Sequence, residues 1–139
     1  MAKFFGRFEH SLDDKGRVIL PVKFRAPFDD GGFVSEYQDG CLALWTPEEF
    51  EVQSEAMRQR AATGRSDRNL ARQWSSAAAP VELDRQGRMM IPNHLRDFAG
   101  LGSDVLVIGA IDRVELWNRE RWDEIVLPEQ ERLTMGEDG

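Results

Sequence analysis

The amino-acid sequence predicts an α+β protein with a mostly β core, made of two tandem copies of one unit joined by helices. Three observations carry that expectation. The pattern Leu-Asp-x-x-Gly-Arg-x-x-[Leu/Ile]-Pro-x-x-[Phe/Leu]-Arg occupies residues 12–25 and returns at residues 83–96, a shift of 71 positions. Downstream, after one inserted residue, Leu44-Trp45 meets Leu116-Trp117 and Phe50 meets Trp122, so the repetition extends beyond the motif. A unit of roughly 50 residues buries too little surface to stand alone, which favours one shared core.

In chain order, residues 4–8 alternate as a first strand, and residues 9–12 lead into a turn at Asp13. Asp13 can accept backbone N–H bonds two or three residues on, and Gly16 supplies the positive φ such a turn often requires. Residues 18–20 are apolar and mostly β-branched, hence strand. Pro21 stops the ladder and suits the first position of a helix, so residues 22–28 read as one or two helical turns with Phe24 and Phe28 inward. After a loop at 29–32, residues 33–37 and 41–45 bracket Gln38-Asp39-Gly40 as a hairpin. Thr46-Pro47-Glu48-Glu49 has the form of a capping box opening a helix to Ala62, with Phe50 and Met57 inward. Residues 63–65 break it, and Ser66 can cap a second helix over 67–77 with Leu70 and Trp74 four apart.

The second copy repeats the plan. Residues 81–83 form the lead-in strand and 89–91 the core strand; Pro92 to Ala99 is helical, and Gly100 ends it. Residues 105–109 and 113–117 make a hairpin around 110–112. Asn118 caps a last helix with Trp122 and Ile125 inward, ending before Pro128, and residues 129–139 read as a frayed acidic tail.

Composition excludes several classes. Hydrophobic content of 41 % and charged content of 31 % are those of an ordinary soluble globular protein. No apolar run approaches the roughly 18 residues needed to span a bilayer, and residues 1–7 lack the form of a signal peptide, so a cytoplasmic location without membrane contact is expected. Cys41 is the single cysteine, which leaves no intrachain disulfide or thiolate cluster and reads as a buried apolar side chain. His10 and His94 have no second ligand at metal spacing, and no Gly-rich phosphate loop, nucleophile elbow or dinucleotide fingerprint occurs. The expectation is a protein that is not an enzyme, with no metal, cofactor or small-molecule substrate.

The net charge of −7 argues against a nucleic-acid partner until its distribution is considered. Residues 1–28, 58–76 and 77–96 carry +3, +4 and +1, whereas residues 29–57, 97–118 and 119–139 carry −8, −3 and −4. Both motif copies lie in basic stretches. Screening acts over about 8 Å at physiological salt, so acids on a distant face do not cancel them.

Lys15-Gly16-Arg17 and Gln86-Gly87-Arg88 would present basic or amide side chains from two equivalent turns. Arginine can bond guanine O6 and N7 together, glutamine can do the same for adenine, and lysine can hold a phosphate. The same spacing equally allows Arg17 and Arg88 to pair with Asp13 and Asp84. Arg25 and Arg96 read as helix-end residues pairing with carboxylates. Arg58, Arg60, Arg65, Arg68 and Arg72 read as a solvated helix face, and Trp45, Trp74, Trp117 and Trp122 as packing.

In these residues the chain resembles the MraZ family, bacterial transcriptional regulators within the AbrB-like superfamily. The resemblance is carried by the two Asp-x-x-x-Arg motifs, the Leu-Pro and Ile-Pro that follow, and the Leu-Trp before each C-terminal helix. It implies a double-split, swapped-hairpin β-barrel formed by two AbrB-like repeats, residues 7–52 and 78–122, with a helical connector at 53–77 and a helix end plus acidic tail at 123–139. It implies cooperative binding of double-stranded DNA at promoter direct repeats in the division and cell wall gene cluster, by a ring-shaped homo-oligomer associated with the nucleoid. The DNA-binding residues it implies are Lys15, Arg17, Arg85, Gln86 and Arg88, on turns formed by Asp13, Gly16, Asp84 and Gly87. The alternative is an AbrB-fold, antitoxin-like module that binds a protein partner through its acidic tail.

Overall fold

The computed structural model describes residues 1–136. Its strands are β1 (Phe4–Ser11), β2 (Arg17–Ile19), β3 (Gly32–Glu36), β4 (Leu42–Trp45), β5 (Ala79–Val81), β6 (Arg88–Met90), β7 (Asp104–Ile111) and β8 (Val114–Asn118). Its helices are α1 (Val22–Arg25), prolonged by a 3-10 turn at Ala26–Phe28, then α2 (Pro47–Ala61), α3 (Arg65–Ala77), α4 (Asn93–Ala99), α5 (Arg119–Ile125) and α6 (Gln130–Met135).

Six strands form one antiparallel sheet in the order β1-β7-β8-β4-β3-β5, while β2 and β6 form a separate two-stranded ribbon. That order is an exchange between the copies. β1, which leads the first copy, pairs along its whole length with β7 of the second copy's hairpin. β5, which leads the second copy, pairs with β3 of the first copy's hairpin. The two hairpins meet where Leu42 faces Leu116, Ala43 faces Glu115 and Leu44 faces Val114. A shift of 72 positions exchanges these partners, so a pseudo-twofold axis passes through the Ala43–Glu115 pair. The ribbon has the same symmetry, with Arg17 opposite Met90, Ile19 opposite Arg88, and Val18–Met89 at its centre. The six-stranded sheet is open, with β1 and β5 at its edges.

The exchange produces the shared core. Phe4, Leu20, Phe24 and Phe28 from the first copy pack in one buried cluster with Met89, Ile91, Leu95 and Val107 from the second. Phe4 meets Phe24 edge-on at 5.5 Å and Phe28 tilted at 5.7 Å. Burying each such side chain stabilises the fold by roughly 1.5–3 kcal/mol. Because β7 alternates, Val105 and Val107 face this cluster, while Leu106 and Ile108 face a smaller one with Cys41 and Trp117. Cys41 is fully buried, and desolvation pushes its thiol far above the usual range, so it is an inert packing group.

Helix starts follow the chemistry of their caps. The Thr46 hydroxyl accepts the Glu49 N–H at 3.2 Å, with Pro47 in the first turn. Only half of the capping box forms, since the Glu49 carboxylate accepts instead from Gln53 at 3.1 Å. Phe50 stacks between Phe33 at 4.1 Å and Trp74 at 5.2 Å, which fixes the α2–α3 hairpin on β3. α3 starts at Arg65 behind Gly64, so Ser66 lies in its first turn and is not its cap. Asn118 caps α5 as expected, its side chain accepting the Arg121 N–H at 3.0 Å. Ile125, expected inward, is 40 % exposed, and Val126 packs on the smaller cluster in its place. Residues 130–135 of the expected frayed tail are helical. Their exposed Leu133 and Met135 add no burial, but Arg132 pairs with Glu129 at 2.8 Å, a spacing that supports a helix locally. Residues 137–139 of that tail lie outside the described residues.

Gly87 has φ 78° and lies so close to Arg25 that a Cβ would sit 2.2 Å from its Nε. Gly102 has open space around it. Gly87→Ala is therefore expected to lower stability by about 1–3 kcal/mol, read from the urea midpoint. Gly102→Ala is expected to stay within about 0.5 kcal/mol of the parent.

Candidate nucleic-acid interface

Both Asp-x-x-x-Arg segments fold into the same turn. In the first, Asp13 Oδ1 accepts the N–H groups of Lys15 and Arg17, each at 2.9 Å, and Oδ2 accepts Arg17 Nε at 2.7 Å. In the second, Asp84 Oδ1 accepts the N–H groups of Gln86 and Arg88, each at 2.9 Å, and Oδ2 accepts Arg88 Nε at 2.7 Å. The Gly16 and Gly87 N–H groups close the turns onto the Asp13 and Asp84 carbonyls at 3.0 Å. Both glycines have positive φ, 76° and 78°, which explains why the motif carries glycine there. The backbone N–H of Arg17, and in the other turn that of Arg88, holds each carboxyl below its usual range; desolvation opposes this and the guanidinium contact adds to it.

Arg25 and Arg96 do something the sequence did not suggest. Among the described residues neither pairs with a carboxylate. Arg25 Nε donates to the Leu20 carbonyl and Arg96 Nε to the Ile91 carbonyl, both at 2.9 Å. Those carbonyls belong to the residue between each ribbon strand and its proline, and a side-chain donor completes them. In this position each guanidinium covers the glycine of the other copy's turn, Arg25 over Gly87 and Arg96 over Gly16. Leu20 N–H also donates to the Gly87 carbonyl at 2.9 Å, and Ile91 N–H to the Gly16 carbonyl at 3.0 Å. Each turn is thus held by the opposite repeat. The signal available in the sequence was the fixed place of both arginines in the duplicated motif.

The ribbon decides where the candidate side chains point. Val18 and Met89 are fully buried on its inner face. Arg17, Ile19, Arg88 and Met90 share the outer face, because side chains alternate and residues directly opposite lie on the same side. The two arginines occupy one diagonal and the two apolar residues the other. Diagonal neighbours of this kind are roughly 7–8 Å apart, so Arg17 and Arg88 form one surface. The turn glycines Gly16 and Gly87 lie at opposite ends of the ribbon, about 14 Å apart at strand rise, with Lys15 beyond one end and Arg85 and Gln86 beyond the other. These three are exposed.

The ion pairs that the spacing allowed do form, yet they leave the arginines available. The side chains of Arg17 and Arg88 are 24 % and 29 % exposed and use Nε for the aspartate. Among the described residues neither is seen to hydrogen-bond through its terminal nitrogens. The aspartate orients the guanidinium, as a backbone-anchored carboxylate can, and its terminal N–H fork remains free to face a ligand. The tips differ chemically, since Lys15 corresponds to Gln86 and Asp14 to Arg85 under the 71-residue shift. Elsewhere, His94 Nε2 lies 2.8 Å from the Ala77 carbonyl. Arg58 pairs with Glu55 and Arg60 with Asp67. No group of metal-ligating side chains occurs among the described residues, and no described helix is long and apolar enough to cross a membrane. Ile19 and Met90 were not singled out in the sequence, although alternation from Val18 and Met89 would have found them.

The chain is similar to known proteins over nearly its whole length. The family model described as "MraZ protein, putative antitoxin-like" matches residues 4–73 and 75–136. A relative from Natranaerobius thermophilus, named Transcriptional regulator MraZ, is 43 % identical over 120 residues, covering 86 % of this chain and 84 % of the relative. Proteins of the same name from Clostridium botulinum (strain Alaska E43 / Type E3) and Acetivibrio thermocellus are each 39 % identical, again over 86 % of this chain and 84 % of the relative.

The lowered carboxyls give the turns a defined pH response. Their contribution is fully present above the ordinary aspartate value of about 3.9 and is lost as pH falls through the lowered folded value. The Nε–H resonances of Arg17 and Arg88 are therefore expected to stay constant down to about pH 4 and to shift only below it. In Asp13→Asn the Arg17 resonance should lose this inflection while that of Arg88 keeps it.

Proposed function

The chain belongs to the MraZ family, and from that premise we propose that it is a transcription regulator and not an enzyme, one that binds double-stranded DNA through the outer face of the β2–β6 ribbon. The observation that carries this reading is the placement of Arg17 and Arg88, each oriented by its own aspartate, on one outward surface. A two-stranded ribbon fits a major groove about 12 Å wide, where paired arginine N–H groups meet guanine O6 and N7. Lys15 and Arg85 at the tips hold phosphates, and Gln86 can read adenine.

The same reading takes the sheet and ribbon together as a double-split, swapped-hairpin barrel, with residues 7–52 and 78–122 as its half-units. The exchange of β1 and β5 between the hairpins supports it. One ribbon offers few cations on a body of net charge −7, so a single subunit binds weakly and with strong salt dependence. A closed ring of subunits engaging direct repeats at matched spacing turns later contacts into intramolecular ones and raises avidity by about 10² to 10⁴. The proposed target is the promoter of the division and cell wall gene cluster, and the proposed setting the nucleoid of the cytoplasm.

Arg17→Ala and Arg88→Ala should each weaken binding to DNA upstream of the protein's own gene by about 1–3 kcal/mol, with unchanged circular dichroism. Lys15→Ala should weaken binding uniformly across sequences and reduce the salt slope by about 1. Normal binding by both arginine variants would contradict the reading. A stoichiometric protein partner that co-purifies and leaves the DNA unbound would favour the antitoxin-like alternative.

In a second test, DNA with one repeat and DNA with several are titrated at fixed salt. Much tighter binding to several repeats is expected, and equal affinity would contradict the ring.

A further inference from the structure

Ile19 and Met90 occupy one diagonal of the ribbon's outer face and are 40 % and 54 % exposed. A single exposed apolar side chain is ordinary. These two, however, are equivalent under the internal twofold, and each stands directly opposite one of the two arginines. A strand whose outer face met only water would carry polar residues there. Neither side chain belongs to the buried core, to which the ribbon contributes Val18 and Met89 from its inner face.

The charge around the pair identifies its occupant. Arg17 and Arg88 flank it, and Lys15 and Arg85 stand exposed at the two ends. Such a surface suits a polyanion, and the apolar diagonal suits a polyanion that offers apolar groups beside its acceptors. Duplex DNA does so in one place: the thymine C5-methyl is the apolar group that base edges present in the major groove, and the minor groove presents none.

We propose that Ile19 and Met90 are specificity-determining residues that seat against thymine methyl groups in the major groove, beside the base edges met by Arg17 and Arg88. This rests on the DNA-binding reading above. It makes the ribbon face a reader of guanine and thymine together, with its apolar diagonal discriminating as well as its basic one. Each methyl so contacted contributes about fourfold in affinity, the usual worth of one buried carbon.

The test uses the full chain and DNA upstream of its own gene, prepared either with thymidine or with deoxyuridine throughout, which removes the methyl groups and keeps the pairing. At fixed salt the parent protein should bind the deoxyuridine DNA at least about fourfold more weakly. The double variant Ile19→Ala, Met90→Ala should bind thymidine DNA as weakly as the parent binds deoxyuridine DNA, and should lose little more on deoxyuridine DNA. Equal binding of both DNAs by the parent would overturn the proposal, as would a variant that still loses as much as the parent. A changed assembly state of the variant in sedimentation would also overturn it, by making this face a contact between copies. Failure of the parent to bind either DNA would instead defeat the DNA-binding reading itself.

Discussion

Two backbone hydrogen bonds cross between the repeats at the ends of a three-residue ribbon, from Leu20 to Gly87 and from Ile91 to Gly16. Each end is closed by an arginine of one repeat lying over the glycine of the other. The rest of the molecule depends on this crossing. It sets Val18 and Met89 at the centre of the core, and it fixes which side of each strand faces out. Proline follows both strands and cannot extend the ladder. The Gly87 and Gly16 N–H groups are committed to their own turns, so Arg25 and Arg96 supply the donors to the Leu20 and Ile91 carbonyls.

The same crossing reconciles an acidic protein with a basic working surface. The acids lie mostly on α2, the connecting loops and the C-terminal segment, while the ribbon and its turns carry arginine, lysine, two ion-paired aspartates and the exposed Asp14. Exposed charges more than about 8 Å apart are largely screened from one another, so the net charge describes solubility more than recognition. Pairing Arg17 and Arg88 with carboxylates also removes part of the repulsion between two cations held on one diagonal.

Much of the local structure was legible in the sequence, and the partners were not. The duplicated Asp-x-x-x-Arg turn, both hairpins and the caps at Thr46 and Asn118 follow from local chemistry: a carboxylate near free N–H groups, glycine at positive φ, hydroxyl or amide before a helix. The exchange of β1 and β5 does not, because an alternating strand specifies which face is buried and says nothing about its neighbour. Helix-end arginines commonly pair with carboxylates, and only the crossing shows that carbonyls and a foreign glycine occupy the space around Arg25 and Arg96. Ile125 and the helix at residues 130–135 depart from the sequence pattern for the opposite reason. Packing against the smaller cluster chose Val126, and a local Glu129–Arg132 pair supports a helix that composition alone described as frayed.

Native-state hydrogen exchange at the amides of Leu20 and Ile91 tests the central claim most directly. If the two repeats hold one another through the crossing, both amides exchange only with global unfolding, at matching free energies and with the same denaturant dependence. One amide exchanging through a smaller opening while the other stays protected would mean that the repeats unfold separately, and the crossed ribbon would not be what binds them.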